Sequence, residues 1–220
     1  MIRFAACVIA IAVSYTAPVL AQEAVPAASS KRERLSHIRE REGVAVALYG
    51  TQIVNGGLIA FPGNLIRGNF GAGQSLHLAV SKPLGRIVLQ NDRNFFDGFT
   101  VEGEAQLVKH FGVEEHVEAT LSFVMRTREI RLGRRASFNL AIANGLSYAF
   151  SPPRIEPKRT PGVNPSQLLY HIGFEAELSL AAAPGWSALV RLHHRSEAFG
   201  TFGPDTSTNR LGLGVRYRFK

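Results

Sequence analysis

The chain has 220 residues, of which 45% are hydrophobic and 19% charged, and it carries a formal net charge of +8 at pH 7. After residue 21 no segment offers the roughly 20 consecutive apolar residues of a membrane-spanning helix, and the single cysteine, Cys7, precedes that point. The composition therefore argues against a helical membrane anchor and against a disulfide framework.

Residues 1–21 are predicted to be a secretory signal peptide, because Arg3 is followed by an apolar run and by small residues before Gln22. Cleavage there leaves 24 basic and 17 acidic residues, a net charge of +7. In an exported protein this charge favours anionic lipid over nucleic acid as a partner. Residues 22–42 are rich in Ala, Pro and Ser and then densely charged, which predicts a polar periplasmic tether.

From residue 43 onwards the hydrophobic pattern has period two, which predicts strands with one apolar and one polar face. The alternation is clearest over residues 136–150, where large apolar side chains oppose small or polar ones. The pattern predicts eight strands, at residues 43–52, 72–82, 99–111, 117–125, 136–150, 168–180, 186–196 and 209–219.

Two architectures contain strands of this kind. A soluble sandwich or lipocalin-like carrier buries its apolar face, whereas a transmembrane barrel turns that face to lipid. Several runs alternate for 11 to 15 residues, whereas soluble strands average about 5 to 6. The C-terminal run ends in Phe219 and Lys220 and resembles the recognition signal of bacterial outer-membrane barrels. We therefore predict an all-β fold, an eight-stranded antiparallel transmembrane outer-membrane β-barrel over residues 43–220.

The interior of so narrow a barrel is expected to be filled with polar side chains. Acidic residues of the middle strands would pair there with basic residues of the last two strands, because an unpaired buried charge is costly. The predicted interior ionic residues are Glu102, Glu104, Glu118, Glu175, Glu177, Arg191, His193, Arg195, Arg216 and Arg218.

The lipid-facing row of the segment 186–196 changes character at its end. Its apolar members stop at Leu192, and the next two positions of the row are His194 and Ser196. The last strand of an outer-membrane barrel descends to the periplasm, so these two residues are expected at the outer rim. Side chains two apart on a strand point the same way, and an imidazole can act as general base for a serine hydroxyl. An interfacial girdle of amphipathic residues explains the same pair without catalysis.

The run His194-Arg195-Ser196, followed by a strand ending in GVRYRF, resembles the lipid A 3-O-deacylase family of outer-membrane serine esterases. The resemblance implies hydrolysis of an ester-linked acyl chain of lipid A, with no metal or other cofactor. It also implies His194 as the base and Ser196 as the nucleophile.

Two positions depart from the family's pattern. The family's Asn after the serine is Glu197 here, and Asn209 stands where the family has an acid. Asn209 can orient an imidazole by accepting a hydrogen bond, but it cannot offset imidazolium charge. Asp205 is the alternative carboxylate, ahead of Glu197, whose strand parity points inward. The candidate oxyanion donors are the backbone amides of Glu197 and Ala198, or the Asn209 amide.

A Pro-rich external segment, residues 151–167, carries Arg154, Lys158 and Arg159. These cations would contact lipid A phosphates, or the segment is a stiff solvated loop. No metal-ligand spacing or nucleotide motif is recognised. Two functions remain open: a lipid A deacylase, or a non-catalytic outer-membrane barrel with a structural role or with lipopolysaccharide or another partner bound by its loops.

Overall fold

A computed structural model of the chain describes residues 43–88, 98–112, 114–154, 166–203 and 207–219. The predicted signal peptide and tether lie outside the described residues, as does Lys220. Within the described part, no helix has the length and apolar character needed to cross a membrane.

The described residues form nine strands, one 3-10 turn and one short helix. The strands are β1 (Ala45–Val54), β2 (Phe70–Val88), β3 (Gly98–Phe111), β4 (Val117–Thr127), β5 (Ile130–Leu132), β6 (Ala136–Ala149), β7 (Leu168–Leu180), β8 (Trp186–Ser196) and β9 (Ser207–Arg218). The 3-10 turn, Leu58–Ala60, and the helix α1, Phe61–Ile66, lie in the connection between β1 and β2.

Antiparallel pairing closes eight of these strands into a barrel. Neighbouring strands pair in chain order, β4 pairs with β6, and β9 pairs with β1. The short strand β5 continues β4 and pairs with the beginning of β6. Because Ala45 of β1 pairs with Arg218 of β9, both ends of the described chain lie at one end of the barrel. We call the opposite end the outer rim. The predicted eight-stranded antiparallel barrel is confirmed.

The predicted strands coincide with the barrel strands to within a few residues, except at β2, which continues from residue 82 to Val88. The β2–β3 register shifts between Pro83 and Gly85, where a proline without an N–H interrupts the ladder. Alternation is lost at this irregularity, and for that reason the pattern did not predict the remainder of the strand.

Alternate side chains separate an apolar exterior from a polar interior, as in membrane barrels. On β4, Leu121 and Phe123 are 69% and 66% exposed, whereas Glu118 and Arg126 are fully buried. Buried apolar side chains form only small clusters. The interior of the barrel is therefore ionic and hydrogen-bonded rather than hydrophobic.

The predicted pairing of interior charges is confirmed, with one arginine that the sequence did not identify. Arg126, at the end of β4, donates to Glu102 at 3.1 Å, to Glu175 at 2.7 Å and to Glu177 at 2.8 Å. It belongs to a middle strand, so basic residues do not come from the last two strands alone. Arg191 and Arg216 complete the network with Glu104, Glu175 and Glu177.

Candidate active site at the outer rim

An imidazole and an amide contact each other at the outer rim, on the outward-pointing rows of β8 and β9. His194 of β8 lies directly opposite Asn209 of β9, and His194 Nδ1 is 2.8 Å from Asn209 Oδ1. Both side chains are buried. The alternation of β8 places His194 in the same row as Leu192, and Leu192 is paired with Leu211 of β9.

The orientation of the Asn209 amide follows from its second contact. Its Nδ2 donates to the backbone carbonyl of Gly56, in the β1–β2 connection, at 2.6 Å. The amide nitrogen is thereby used, so the oxygen faces the imidazole and accepts a hydrogen bond from Nδ1–H of His194. This assignment leaves Nε2 of His194 as the basic nitrogen.

Ser196 is the last residue of β8 and is half-buried, two positions beyond His194 on the same face. Its strand neighbours are Tyr170 on β7 and Ser207 on β9. Among the described residues, no hydrogen bond joins the Ser196 hydroxyl to the His194 imidazole. The two predicted reactive groups therefore share a face and a strand end without a hydrogen bond between them.

A strained turn follows Ser196. β8 has ended, so strand parity no longer applies to Glu197, which is half-buried with one carboxylate oxygen that has no described partner. Glu197 is also the described carboxylate that acts electrostatically on His194. Ala198 and Phe199 have φ values of 48° and 59°, in the left-handed region that costs non-glycine residues about 1–2 kcal/mol each. Asp205 lies outside the described residues.

An apolar groove of about 440 Å³ lies on the lipid-facing surface beside this pair. Its lining includes Leu192 and Leu211, one residue row below His194 and Asn209. It continues across β7 and β6 through Phe174 and other apolar side chains. A hydrocarbon chain placed in the groove would therefore end next to the polar pair.

The basic residues predicted in the external segment are only partly described. Arg154 is exposed in the connection after β6. Lys158 and Arg159 lie outside the described residues. Their contact with phosphates stays a prediction.

The structure also brings together a group that the sequence did not reveal. His110, His116 and Glu118 are buried in the lumen at the outer rim, each with a donor atom within 4.8 Å of the others. His116 lies in the β3–β4 turn, where burial, with a smaller contribution from His110, lowers its pKa to about 3. The signal for this group was the spacing His-x5-His-x-Glu across a tight hairpin.

Comparison with known proteins finds structures of similar fold but assigns the chain to no family. No family model matches the chain, and no curated protein matches it. Among solved structures, the outer membrane enzyme PagL superposes with a TM-score of 0.55 at 16% identity, covering 80% of this chain and 99% of that one. The barrel has the fold of PagL.

Two further solved structures are similar at lower scores. Neisserial surface protein A has a TM-score of 0.47 at 12% identity, covering 80% of this chain and 97% of its own. The attachment invasion locus protein Ail of Yersinia pestis has a TM-score of 0.37 at 13% identity, with the same coverages. The likeness to PagL, at 16% identity, establishes the fold alone.

Proposed function

We propose that this protein is a serine esterase of the bacterial outer membrane, which removes an ester-linked acyl chain from lipid A in the outer leaflet. Ser196 is the nucleophile, His194 the general base, and Asn209 the residue that orients the imidazole. The observation that carries the proposal is the 2.8 Å contact between His194 Nδ1 and Asn209 Oδ1, made on the lipid-facing row beside the serine.

The chemistry follows from the tautomer that Asn209 imposes. With the proton on Nδ1, Nε2 of His194 accepts the Ser196 proton as Oγ attacks the ester carbonyl, and it returns that proton to the leaving sugar hydroxyl. A water molecule then attacks the acyl-serine, with His194 again taking and returning a proton. Asn209 holds the ring but carries no charge, so imidazolium is less stabilised than beside a carboxylate.

The strained turn after Ser196 contains the backbone amides that would stabilise the negative charge developing on the ester oxygen. Ala198 N–H donates to no other described residue, and the left-handed conformation of Ala198 and Phe199 fixes the backbone directly after the nucleophile. Strain of this kind persists where the surrounding structure enforces it, and it is common at active sites. The backbone amides of Glu197 and Ala198 are our proposed oxyanion donors.

The groove and the charge support a lipid with an anionic head group as the substrate. An acyl chain lying along Leu192 and Leu211 would bring its ester to the rim. Arg154, Lys158 and Arg159, in the external connection after β6, would contact lipid A phosphates. The shared fold with PagL, an outer membrane enzyme, is consistent with this proposal.

Mass spectrometry of lipid A tests the proposal. Cells that express the wild-type protein should lose one acyl chain from lipid A, and cells that express Ser196→Ala should not. Ser207→Ala, which alters the serine opposite Ser196 on β9, is the matched control and should behave as wild type. Identical spectra for all three proteins, each shown to be folded by heat-modifiable migration, would contradict catalysis.

A second function has one observation in its favour. Because no hydrogen bond joins Ser196 and His194 among the described residues, the pair also fits an interfacial girdle in a non-catalytic barrel that binds lipopolysaccharide or an external partner. In that case lipid A stays intact, while lipopolysaccharide binding by the purified barrel is retained in the Ser196→Ala variant.

A further inference from the structure

The lumen of the barrel holds a buried group of metal-binding side chains, on the opposite face of the barrel wall from His194. It consists of His110 at the end of β3, His116 in the following turn and Glu118 at the start of β4. One donor atom from each lies within 4.8 Å of the other two. The three residues are 1%, 5% and 0% exposed.

Two of the three donors lie slightly closer together than two ligands of one metal ion do. His110 Nε2 and Glu118 Oε2 are 2.9 Å apart. Two ligands of one tetrahedral zinc ion, with bonds of about 2.0–2.2 Å, lie roughly 3.3–3.5 Å apart. A small outward movement of either side chain is therefore enough to admit a cation. The ring of His116 stacks on that of His110, with centroids 4.1 Å apart. Because the lone pair of an imidazole nitrogen lies in the ring plane, His116 would tilt out of this stack to bind an ion shared with His110.

An unpartnered donor atom is the second, independent observation. Within the group, His116 Nε2 is buried and has no hydrogen-bond partner. Buried polar atoms in native proteins are nearly always satisfied. This orphaned nitrogen therefore points to a ligand bound beside it.

Glu118 is held as metal-ligating carboxylates usually are. Its Oε1 accepts hydrogen bonds from Ser147 at 2.6 Å, His193 at 3.0 Å and Thr120 at 3.1 Å. These three contacts fix the carboxylate and leave Oε2 to face His110. Outer contacts of this kind orient metal ligands, and their loss typically weakens metal binding about 10–100-fold.

The surrounding charges narrow the class of metal. Arg195 approaches Glu118 at 3.6 Å, and Arg210 is ion-paired with Glu114, so the two carboxylates are already balanced by two guanidinium groups. Hard cations such as Ca²⁺ and Mg²⁺ need clusters of oxygen ligands and net negative charge. Imidazole nitrogens instead select Zn²⁺, Cu²⁺ or Ni²⁺.

We propose that His110, His116 and Glu118 form a binding site for a divalent transition metal, with Zn²⁺ as its expected occupant. Bound metal would connect the β3–β4 turn to both strands of its hairpin and so fix the lumen at the outer rim. The site is independent of the proposed esterase, whose residues lie on the outside of the wall.

The test uses the full barrel, folded in detergent without a polyhistidine tag. Zn²⁺ binding is measured by equilibrium dialysis, with excess Mg²⁺ present to suppress weak sites. Wild type should bind one Zn²⁺ per chain, and His116→Ala, a change in a turn, should weaken binding by at least about tenfold. His171→Ala is the matched control, because His171 is a lumenal histidine, fully buried with neither ring nitrogen bonded, outside the three-residue group.

Co²⁺ provides a readout on wild type that does not depend on any variant. A tetrahedral site with nitrogen and oxygen ligands should give visible absorption that added Zn²⁺ abolishes. Absence of stoichiometric Zn²⁺ binding would overturn the proposal, as would octahedral Co²⁺ absorption. Equal weakening by His116→Ala and His171→Ala would also overturn it, because the metal would then lie elsewhere in the lumen.

Discussion

Removing the guanidinium of Arg126 should destabilise the barrel strongly, because this residue holds the centre of the interior network. Arg126 is fully buried and makes five hydrogen bonds, to Glu102, Glu175, Glu177 and Asn139. In Arg126→Met the methionine fills much of the same volume but donates nothing.

The size of the effect follows from what each carboxylate retains. Glu175 and Glu177 keep Arg216 at 2.5 and 2.6 Å, whereas the one cation that Glu102 keeps among the described residues is Arg218, at 3.6 Å. The variant therefore leaves one fully buried carboxylate nearly unpaired. Removing one partner of a buried ion pair costs about 3–5 kcal/mol, and we expect about 3 kcal/mol here.

The chain offers a clean assay for this change. Its single tryptophan, Trp186, is on the lipid-facing side of β8, half exposed. Urea unfolding of the barrel in lipid vesicles, followed by Trp186 emission, gives the free energy of unfolding. Arg134→Met, at an exposed turn, is the control and should change it by no more than about 0.5 kcal/mol.

A double variant separates lost charge pairing from lost packing. Adding Glu102→Gln to Arg126→Met removes the stranded charge and should restore about 1–2 kcal/mol, as expected for directly contacting residues. Destabilisation by Arg126→Met of less than about 1 kcal/mol would refute the reasoning. A double variant less stable than Arg126→Met alone would do the same.

Three further substitutions test the wall and the rim. Gly145→Ala would place a Cβ against the backbone of β4 and should cost about 1–3 kcal/mol in unfolding, whereas Gly85→Ala, with open space around it, should be neutral. Asn209→Ala should lower kcat for ester hydrolysis by roughly 10²-fold, because the imidazole of His194 is no longer held in place. Asn209→Asp keeps an acceptor for Nδ1 and should lose less activity. Equal kcat values for wild type and Asn209→Ala would contradict an orienting role. Phe199→Gly removes the steric cost of a side chain in the left-handed backbone region and should raise the free energy of unfolding by up to about 1 kcal/mol. The same change should slow hydrolysis, because the backbone after the nucleophile is less fixed. Faster hydrolysis would count against a fixed oxyanion site.

The strands and the two faces of the wall could be predicted because both depend on local alternation. Period two runs along the predicted part of each barrel strand, and it also places Asn209 in the same outward row as Leu211. Since adjacent strands of the last hairpin pair directly, that parity allows Asn209 to face His194, and the structure shows the two side chains in contact.

Alternation could not predict the features at which a strand is interrupted or ends. The extension of β2 beyond Pro83 follows a register shift, and the turn at Ala198 and Phe199 depends on φ values that neither residue type signals. Arg126 was missed because the predicted β4 ended at residue 125, two residues before the observed end at Thr127. The His110 group depends on the tightness of one hairpin turn, which brings residues of two strands together.

Covalent labelling of Ser196 tests the proposed activation of this serine most directly. In a reaction with an alkyl fluorophosphonate, Oγ forms a bond to phosphorus, fluoride leaves, and His194 takes the hydroxyl proton. Intact mass and peptide mapping of the folded barrel should show one adduct on Ser196 in wild type and in Ser207→Ala, and none in His194→Ala. An unlabelled wild-type protein, or equal labelling of His194→Ala, would contradict a nucleophile activated by this imidazole.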